Sequence, residues 1–267
     1  MISVLSDMMS YTFIVRAMIV GGLVALCSAL LGVSLVLKRY SMIGDGLSHV
    51  AFAALTIAVA MNVAPLYIST PIVTVAAIIL LRLSENSKIK GDSAIALIST
   101  VSIAIGVVVT ALTKGMNTDV YSYMFGSILA MSESDVYMSI ALSVVVIILF
   151  VFFYNKIFAV TFDESFAKAT GTKADVYNMI IAVLTAITIV VGMRIMGTML
   201  ISSLIIFPAL ISMRNFKTFK SVIICSAIVS VVCFLLGIIL SYLYSIPTGA
   251  SIVLVNTIAL ILSYLIG

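Results

Sequence analysis

The stretch TFIVRAMIVGGLVALCSALLGVSLVL, residues 12–37, is a continuous apolar run that contains one charged side chain, Arg16. A helix of about 20 apolar residues is long enough to cross the hydrocarbon core of a bilayer. Only helices and closed barrels satisfy all their backbone hydrogen bonds in lipid, and a run of this length fits a helix. The stretch therefore predicts a transmembrane helix and an all-α membrane fold.

The rest of the chain has the same character. Of its 267 residues, 63% are hydrophobic and 9% are charged, and the mean hydropathy is +1.34, whereas soluble domains carry about 25% charged residues. Eight more apolar segments follow, at 43–61, 65–82, 93–113, 135–155, 177–193, 197–213, 221–243 and 250–266. We predict one transmembrane domain over residues 1–267, a helical bundle of about nine spans, or eight if the first segment lies on the membrane surface.

A shorter apolar stretch, YSYMFGSILAM at residues 121–131, lies between the fourth and fifth segments. It is about half the length that a span requires. Such segments lie at the membrane interface or re-enter the membrane within the protein. We predict a short interfacial or re-entrant helix here.

The basic residues predict the orientation of the spans. If the loop after the first span is cytoplasmic, eleven Lys and Arg lie inside and three lie on or near the outer face. The eleven are Lys38, Arg39, Arg82, Lys88, Lys90, Lys156, Lys168, Lys173, Arg214, Lys217 and Lys220, and the three are Arg16, Lys114 and Arg194. Because cytoplasmic loops carry the excess of Lys and Arg, the N-terminus is predicted outside and the C-terminus inside.

Several function classes are excluded by missing motifs. The sequence has no Gly-Lys dipeptide and so no Walker A loop, and it has neither G-x-S-x-G nor H-E-x-x-H. Its three cysteines lack the paired spacing of a thiolate metal site or a disulfide framework. Nothing supports nucleic-acid binding. We therefore predict that the chain is not an enzyme.

Helix packing is expected to use small residues other than paired glycines. No two glycines are four residues apart, so the G-x-x-x-G motif is absent. Alanine and serine also let helices approach closely in a membrane. We expect those two residue types at the helix contacts instead of glycine.

The sequence MIGDGLSHVAFAA, residues 42–54, places Asp45 and the only histidine, His49, in the second predicted span. Residues four apart share one face of a helix. An ionisable side chain in a span costs about 2.5–3.5 kcal/mol on insertion scales, so such groups usually face a polar cavity or a transport path. A carboxylate and an imidazole can bind zinc or manganese. Alternatively, Asp45 caps the helix and His49 bonds a neighbouring serine or carbonyl.

The most polar segment, KIFAVTFDESFAKATGTKAD at residues 156–175, predicts a short amphipathic helix that lies along the cytoplasmic face. Its apolar stripe consists of Phe162, Phe166 and Ala169. Glu164 and Lys168 can pair at i and i+4, and Gly171 can end the helix. The alternative is an ordinary solvated loop, although two exposed phenylalanines are unusual unless a partner covers them.

Five stretches of the chain together resemble one known family. They are KRYSMIGDGLSHVAF (38–52), MFGSILA (124–130), FDESFAKATG (162–171), GTMLISSLIIFPAL (197–210) and IPTGASIVLV (246–255). In this order they are similar to the integral membrane permeases of the zinc- and manganese-uptake ATP-binding-cassette (ABC) transporters. The wording GDGLSHVAF is more similar to the zinc branch than to the manganese branch.

The resemblance implies a metal site and its partners. Asp45 and His49 would hold the transported Zn²⁺ or Mn²⁺ in the pathway, and a homodimer would contribute two of each. An extracellular metal-binding protein or lipoprotein would deliver the ion. No permanently bound cofactor is implied, and the setting is the lipid of a prokaryotic plasma membrane.

The resemblance also implies a contact with an ATPase. The FDESFAKATG segment is similar to the coupling helix that docks on a cytoplasmic ATPase dimer, on which ATP would bind. Its residues Phe162, Asp163, Glu164, Phe166 and Gly171 are therefore expected to couple the permease to ATP hydrolysis.

Two other functions remain as alternatives. A proton-driven secondary carrier would be expected to show several carboxylates or histidines within its spans, and beyond Asp45 and His49 the acids here lie at span ends. A cassette permease for a metal chelate of the haem or corrinoid type would share the general architecture.

Overall fold

The computed structural model of the protein describes residues 10–86, 91–113 and 133–266, and these ranges contain helices and no strand. Eleven helices follow one another in the described chain. They are α1 (Thr12–Leu37), α2 (Ile43–Ala60), α3 (Pro65–Asn86), α4 (Gly91–Leu112), α5 (Glu133–Phe152), α6 (Tyr154–Phe162), α7 (Glu164–Ala169), α8 (Ala174–Met196), α9 (Thr198–Asn215), α10 (Phe219–Tyr244) and α11 (Thr248–Ile266). The predicted all-α fold is confirmed.

Nine helices of the described ranges, all except α6 and α7, are long and apolar enough to cross a membrane. They correspond to the nine predicted segments, with ends shifted by a few residues. The largest shift is in α3, which continues to Asn86 and so extends beyond its predicted end at residue 82. The half-span helix predicted at 121–131 lies outside the described residues.

Helix α1 lies at the centre of the bundle, where it contacts α5, α8, α9 and α10. Two serines of α10 bind its backbone. Ser226 donates its hydroxyl to the carbonyl oxygen of Ala29 at 3.3 Å, and Ser230 donates to that of Ala25 at 2.8 Å. Interhelical bonds of this kind join spans in lipid, and here they involve the two residue types predicted at helix contacts, serine and alanine.

Single glycines also bring helices together, which corrects the expectation that alanine and serine take the place of glycine. A Cβ on Gly32 of α1 would lie 2.2 Å from the backbone oxygen of Ile205 in α9, and one on Gly237 of α10 would lie 2.7 Å from the Cα of Ile252 in α11. Backbone atoms cannot give way as a side chain can. Isolated glycines therefore suffice for close packing without a repeated motif.

Helices α8 and α9 are joined by a single residue, Gly197, with φ 82° and ψ 168°. This backbone conformation is essentially restricted to glycine. The chain thus passes from one apolar helix to the next without a loop.

Candidate functional site

The first turn of α2 is held between α9 and α4. Two glycines flank Asp45 there and allow both helices to approach. A Cβ on Gly44 would lie 3.0 Å from the side chain of Ile205 in α9, and one on Gly46 would lie 2.7 Å from that of Ile95 in α4. The sequence G-D-G therefore positions Asp45 at a close crossing of three helices.

Asp45 and His49 face each other one helical turn apart on α2, as predicted from their spacing. His49 Nε2 lies 3.6 Å from Asp45 Oδ2, and the two side chains are 24% and 42% exposed, respectively. Leu47 and Val50, on the same helix, are buried. The polar pair thus lies on the accessible side of a largely buried span.

The spacing of the two donor atoms fits one metal ion. Zinc binds nitrogen and oxygen donors at about 2.0–2.2 Å, so two ligands of a tetrahedral ion lie about 3.3–3.6 Å apart. The Nε2–Oδ2 distance of 3.6 Å falls at the upper end of that range. Within the ranges that the structure describes, no three His, Cys, Asp or Glu side chains come together. The described chain by itself therefore offers two ligands of a metal site.

The alternative roles for this pair were a helix cap for Asp45 and a serine or carbonyl partner for His49. Helix α2 begins after Met42, and no side chain accepts a hydrogen bond as its N-terminal cap. Ser48, the serine adjacent to His49, donates its hydroxyl to the backbone oxygen of Asp45 at 2.7 Å. The carboxylate of Asp45 is thus directed at His49 rather than at the helix end.

The segment predicted as one amphipathic helix folds as two helices, α6 and α7, so the expected continuous stripe is wrong. The break falls at Asp163, with φ −146° and ψ 96°, whose Oδ1 accepts from the N–H of Phe166 at 2.9 Å. This bond makes Asp163 the N-cap of a new helix. Phe162 therefore ends α6, and its ring packs on Phe158 and Phe219 at centroid distances of 5.0 and 5.7 Å.

The predicted end of α7 at Gly171 is confirmed. Gly171 has φ 83°. Its N–H donates to the carbonyl of Lys168 at 3.0 Å, and the N–H of Thr172 donates to that of Ala167 at 2.9 Å. This pattern is a Schellman C-cap. Ala167 is the buried residue of α7, whereas Phe166 is 65% exposed.

Glu164 of α7 is bound by residues of three helices. Its Oε1 lies 3.0 Å from Lys168 Nζ, which is the predicted i, i+4 pair. Its Oε2 accepts from Asn178 Nδ2 of α8 at 3.0 Å and lies 3.4 Å from Nζ of Lys38, at the end of α1. Lys38 also donates to Oδ1 of Asn178. We call Lys38, Glu164 and Asn178 the polar triangle.

The charges in this region support one another. Partial burial opposes the ionisation of Glu164, but hydrogen bonds from Asn178 and Lys168, together with the charges of Lys38 and Lys168, outweigh it and lower the pKa of Glu164. Hydrogen bonds to Asp175, at 2.9 Å, and to Glu164 raise the pKa of Lys168. Glu164 and Lys168 are therefore both charged at neutral pH.

Sequence reasoning missed two members of the triangle. Lys38 entered only as a charge that orients the spans, and Asn178 did not enter at all. Asn178 is 3% exposed, and a lone amide in an apolar segment is a usable signal because buried polar groups are almost always hydrogen-bonded. No local spacing rule could have paired Lys38 with Glu164, since 126 positions separate them.

A bundle of nine apolar spans in the described ranges defines a polytopic membrane protein rather than a soluble binding module. The family model described as the ABC 3 transport family matches residues 10–267, and the chain belongs to this family. It is therefore a multi-pass permease subunit of a prokaryotic plasma membrane, and not an enzyme, because the ATPase of such a transporter is a separate subunit.

Three known proteins show the extent of the similarity. The manganese import system permease protein ScaB of Streptococcus gordonii is 26% identical over 96% of this chain and 92% of its own length. The high-affinity zinc uptake system membrane protein ZnuB of Haemophilus influenzae is 29% identical over 92% of this chain and 95% of its own. A chain in the structure of PsaBC from Streptococcus pneumoniae in complex with Fab is 26% identical, with a TM-score of 0.89 over 100% of this chain and 96% of that one.

The similarity does not separate the two metal branches. Relatives named for manganese and for zinc match over nearly the same length at 26% and 29% identity. The predicted membership of the zinc branch therefore stays a prediction.

Proposed function

We propose that the chain forms the translocation pathway of an ATP-driven importer of a divalent transition metal, with zinc preferred over manganese. The observation that carries this proposal is the Asp45–His49 pair, which is partly exposed and spaced for one ion inside a span. Ionisable groups in a span are costly, and a metal path gives them a use. The names of ScaB and ZnuB, a manganese import permease and a zinc uptake protein, support a metal as the cargo.

The donor chemistry of the pair supports zinc as the preferred metal. Zinc binds imidazole nitrogen together with carboxylate oxygen, whereas manganese favours sites richer in oxygen than one carboxylate and one imidazole.

A second copy of the chain is proposed to complete the coordination. Asp45 and His49 alone leave half of a tetrahedral ion unligated. A two-fold axis beside α2 would add the same two side chains from the partner, because a symmetric interface repeats each contact. The partial exposure of both side chains is consistent with such an approach.

The ATPase dimer is proposed to dock at α7. Phe166 projects from this short helix with 65% of its surface exposed, and exposed aromatic side chains are typical anchors of protein interfaces. Asp163 and Gly171 define the two ends of α7. Phe162, which directly precedes Asp163, packs on Phe219 and so supports the start of this helix. An extracellular binding protein is proposed to deliver the ion at the opposite face.

This arrangement requires α7 to lie in the cytoplasm, as the charge count predicts. Single cysteines at Thr170 and at Ser245, in a background without Cys27, Cys225 and Cys233, test it with an impermeant thiol reagent. We expect labelling of intact cells at position 245 and only after lysis at position 170. The reverse pattern would contradict the orientation.

Uptake by proteoliposomes tests the function itself. We expect the permease, reconstituted with its cognate ATPase and binding protein, to accumulate radioactive zinc only when ATP is supplied, and to accept manganese less well. Uptake that needs a proton gradient and no ATP would favour the secondary carrier. Competition by a haem or corrinoid chelate, but not by free zinc, would favour the chelate permease.

A further inference from the structure

The polar triangle joins the two functional regions of the molecule. Lys38 directly follows α1, Glu164 lies in α7, and Asn178 lies in α8. The side chain of Lys38 is 10% exposed and Asn178 is 3% exposed. Because both groups are largely shielded from water, their bonds to Glu164 are less screened than those of a surface ion pair.

Lys38 also begins the short turn that leads into α2. The N–H of Tyr40 donates to the carbonyl of Leu35 at 2.8 Å, and the N–H of Ile43 donates to that of Tyr40 at 3.0 Å. The turn is thereby bonded at one end to α1 and at the other to the first residue of α2. Asp45 follows two residues later, so a displacement of Lys38 reaches the Asp45–His49 pair through a few hydrogen-bonded residues.

A small pocket, with room for about one water molecule, lies between the turn and α8. It is lined by Lys38, Tyr40, Ile43 and Asn178 together with neighbouring aliphatic side chains. The pocket lies beside the first residue of α2 and beside two members of the triangle.

A purely structural role explains the triangle less well. The ion pair of Lys38 with Glu164 is partly exposed at Glu164, and such pairs contribute little stability, so it is weak evidence for a stabilising role. Apolar side chains such as those of Ala167 and Val160, which already pack α7 against α6, would hold the helix at lower cost. Hydrogen bonds and ion pairs, in contrast, are directional, so they can transmit a movement of α7 in either direction.

We propose that Lys38 is a positioning residue for transport, which transmits movement of α7 through the α1–α2 turn to the Asp45–His49 pair. The proposal rests on the proposed function, in which α7 meets the ATPase and the pair holds the metal. In this proposal Glu164 makes a contact within the permease, and the exposed Phe166 contacts the ATPase.

The number of zinc ions transported per ATP hydrolysed tests the proposal in the reconstituted complex. We expect Lys38→Met to lower this ratio by about tenfold while the ATPase still co-purifies and hydrolyses ATP. Lys38→Arg, which keeps the charge and the donors, should restore the ratio. Lys217→Met is the control, because it removes an exposed cation of the loop between α9 and α10, outside α7 and outside the triangle, and its ratio should match that of the unsubstituted protein.

A double variant shows whether Lys38 and Glu164 act through one contact. We expect Lys38→Met with Glu164→Gln to have a ratio no lower than the worse single variant, because coupled sites are not additive. A normal ratio for Lys38→Met, a multiplicative double effect, or transport and hydrolysis that fall together would overturn the proposal. If the unsubstituted complex shows no ATP-dependent zinc uptake, the proposed function fails instead.

Discussion

Two acid–base pairs with the same spacing, Asp45–His49 in α2 and Glu164–Lys168 in α7, have different surroundings. Lys168 Nζ lies 3.0 Å from Glu164, whose second oxygen accepts from Asn178. His49 lies 3.6 Å from Asp45, and in the described part of the chain no other cationic side chain pairs with that carboxylate. We call the Glu164–Lys168 pair closed, because other side chains also bind its carboxylate, and the Asp45–His49 pair open, because no further cation does so in the described residues. An open pair retains the capacity to bind an ion, and a closed pair can hold or transmit structure.

Breaking the open pair should have the largest effect. We expect Asp45→Asn and His49→Ala each to reduce zinc uptake per reconstituted transporter by at least about 10–100-fold, because each removes a ligand from a site with few ligands. Both substitutions change packing less than coordination, so assembly with the ATPase should persist. Glu133→Gln, which removes an exposed carboxylate and its ion pair with Arg16 at the start of α5, is the control. Near-normal uptake by both variants would show that the pair is structural.

The exposed aromatic side chain beside the closed pair should matter for partner binding alone. We expect Phe166→Ala to reduce the ATPase that co-purifies with the permease by about tenfold or more, as for an interface anchor. Phe152→Ala, at the end of α5, removes an even more exposed phenylalanine and should have no such effect. Equal losses for both variants, or none for Phe166→Ala, would contradict the docking role of α7.

A glycine in each region should be sensitive to substitution, for a different reason. Gly46→Ala adds a Cβ 2.7 Å from Ile95 and should cost about 1 kcal/mol of stability by overpacking. Gly171→Ala meets no atom within 4 Å but has φ 83° and should cost about 1 kcal/mol through backbone strain. Thermal unfolding in detergent measures both.

These two glycine substitutions should impair different activities. We expect Gly46→Ala to lower zinc uptake and Gly171→Ala to lower ATPase recovery. Gly22→Ala, where an added Cβ has no neighbour within 4 Å, is the control for both. A loss of both activities in each variant would indicate general destabilisation rather than two separate regions.

The smallest expected effect is on the pH dependence of stability. The folded-state pKa of Glu164 is lowered, so its bonds contribute stability above the usual carboxyl pKa, and this contribution is lost as the pH falls through the folded-state value. Because Glu164 is 36% exposed, the contribution should be below about 1 kcal/mol. Unfolding of the isolated permease and of Glu164→Gln should therefore converge in acid, and a gap that widens in acid would contradict this assignment.

The spans and the spacing of both pairs could be predicted because they depend on local patterns. An apolar run of about 20 residues predicts a transmembrane helix by itself, and residues four apart share a face in any helix. The helix break at Asp163 was harder to predict from the sequence, since an aspartate can lie inside a helix or cap the next one. The outcome depends on whether its carboxylate reaches the N–H of Phe166, which the flanking sequence does not specify.

Contacts between distant parts of the chain could not be predicted from one sequence. Gly32 meets Ile205, and Lys38 meets Glu164, only because particular spans are neighbours in the bundle. All the spans have similar apolar composition, so composition carries little information about which helices are adjacent. The Asp45–His49 pair was found because polar groups are rare in a span, whereas the triangle was missed because polar groups at span ends are common.

The single-residue joint at Gly197 has a consequence for how the protein is made. With a single residue between α8 and α9, the end of one helix and the start of the next are held on the same side of the bundle. We therefore expect the two helices to insert into the membrane as a hairpin. A side chain at Gly197 would strain the bend of that hairpin, and we expect poor membrane integration as a result.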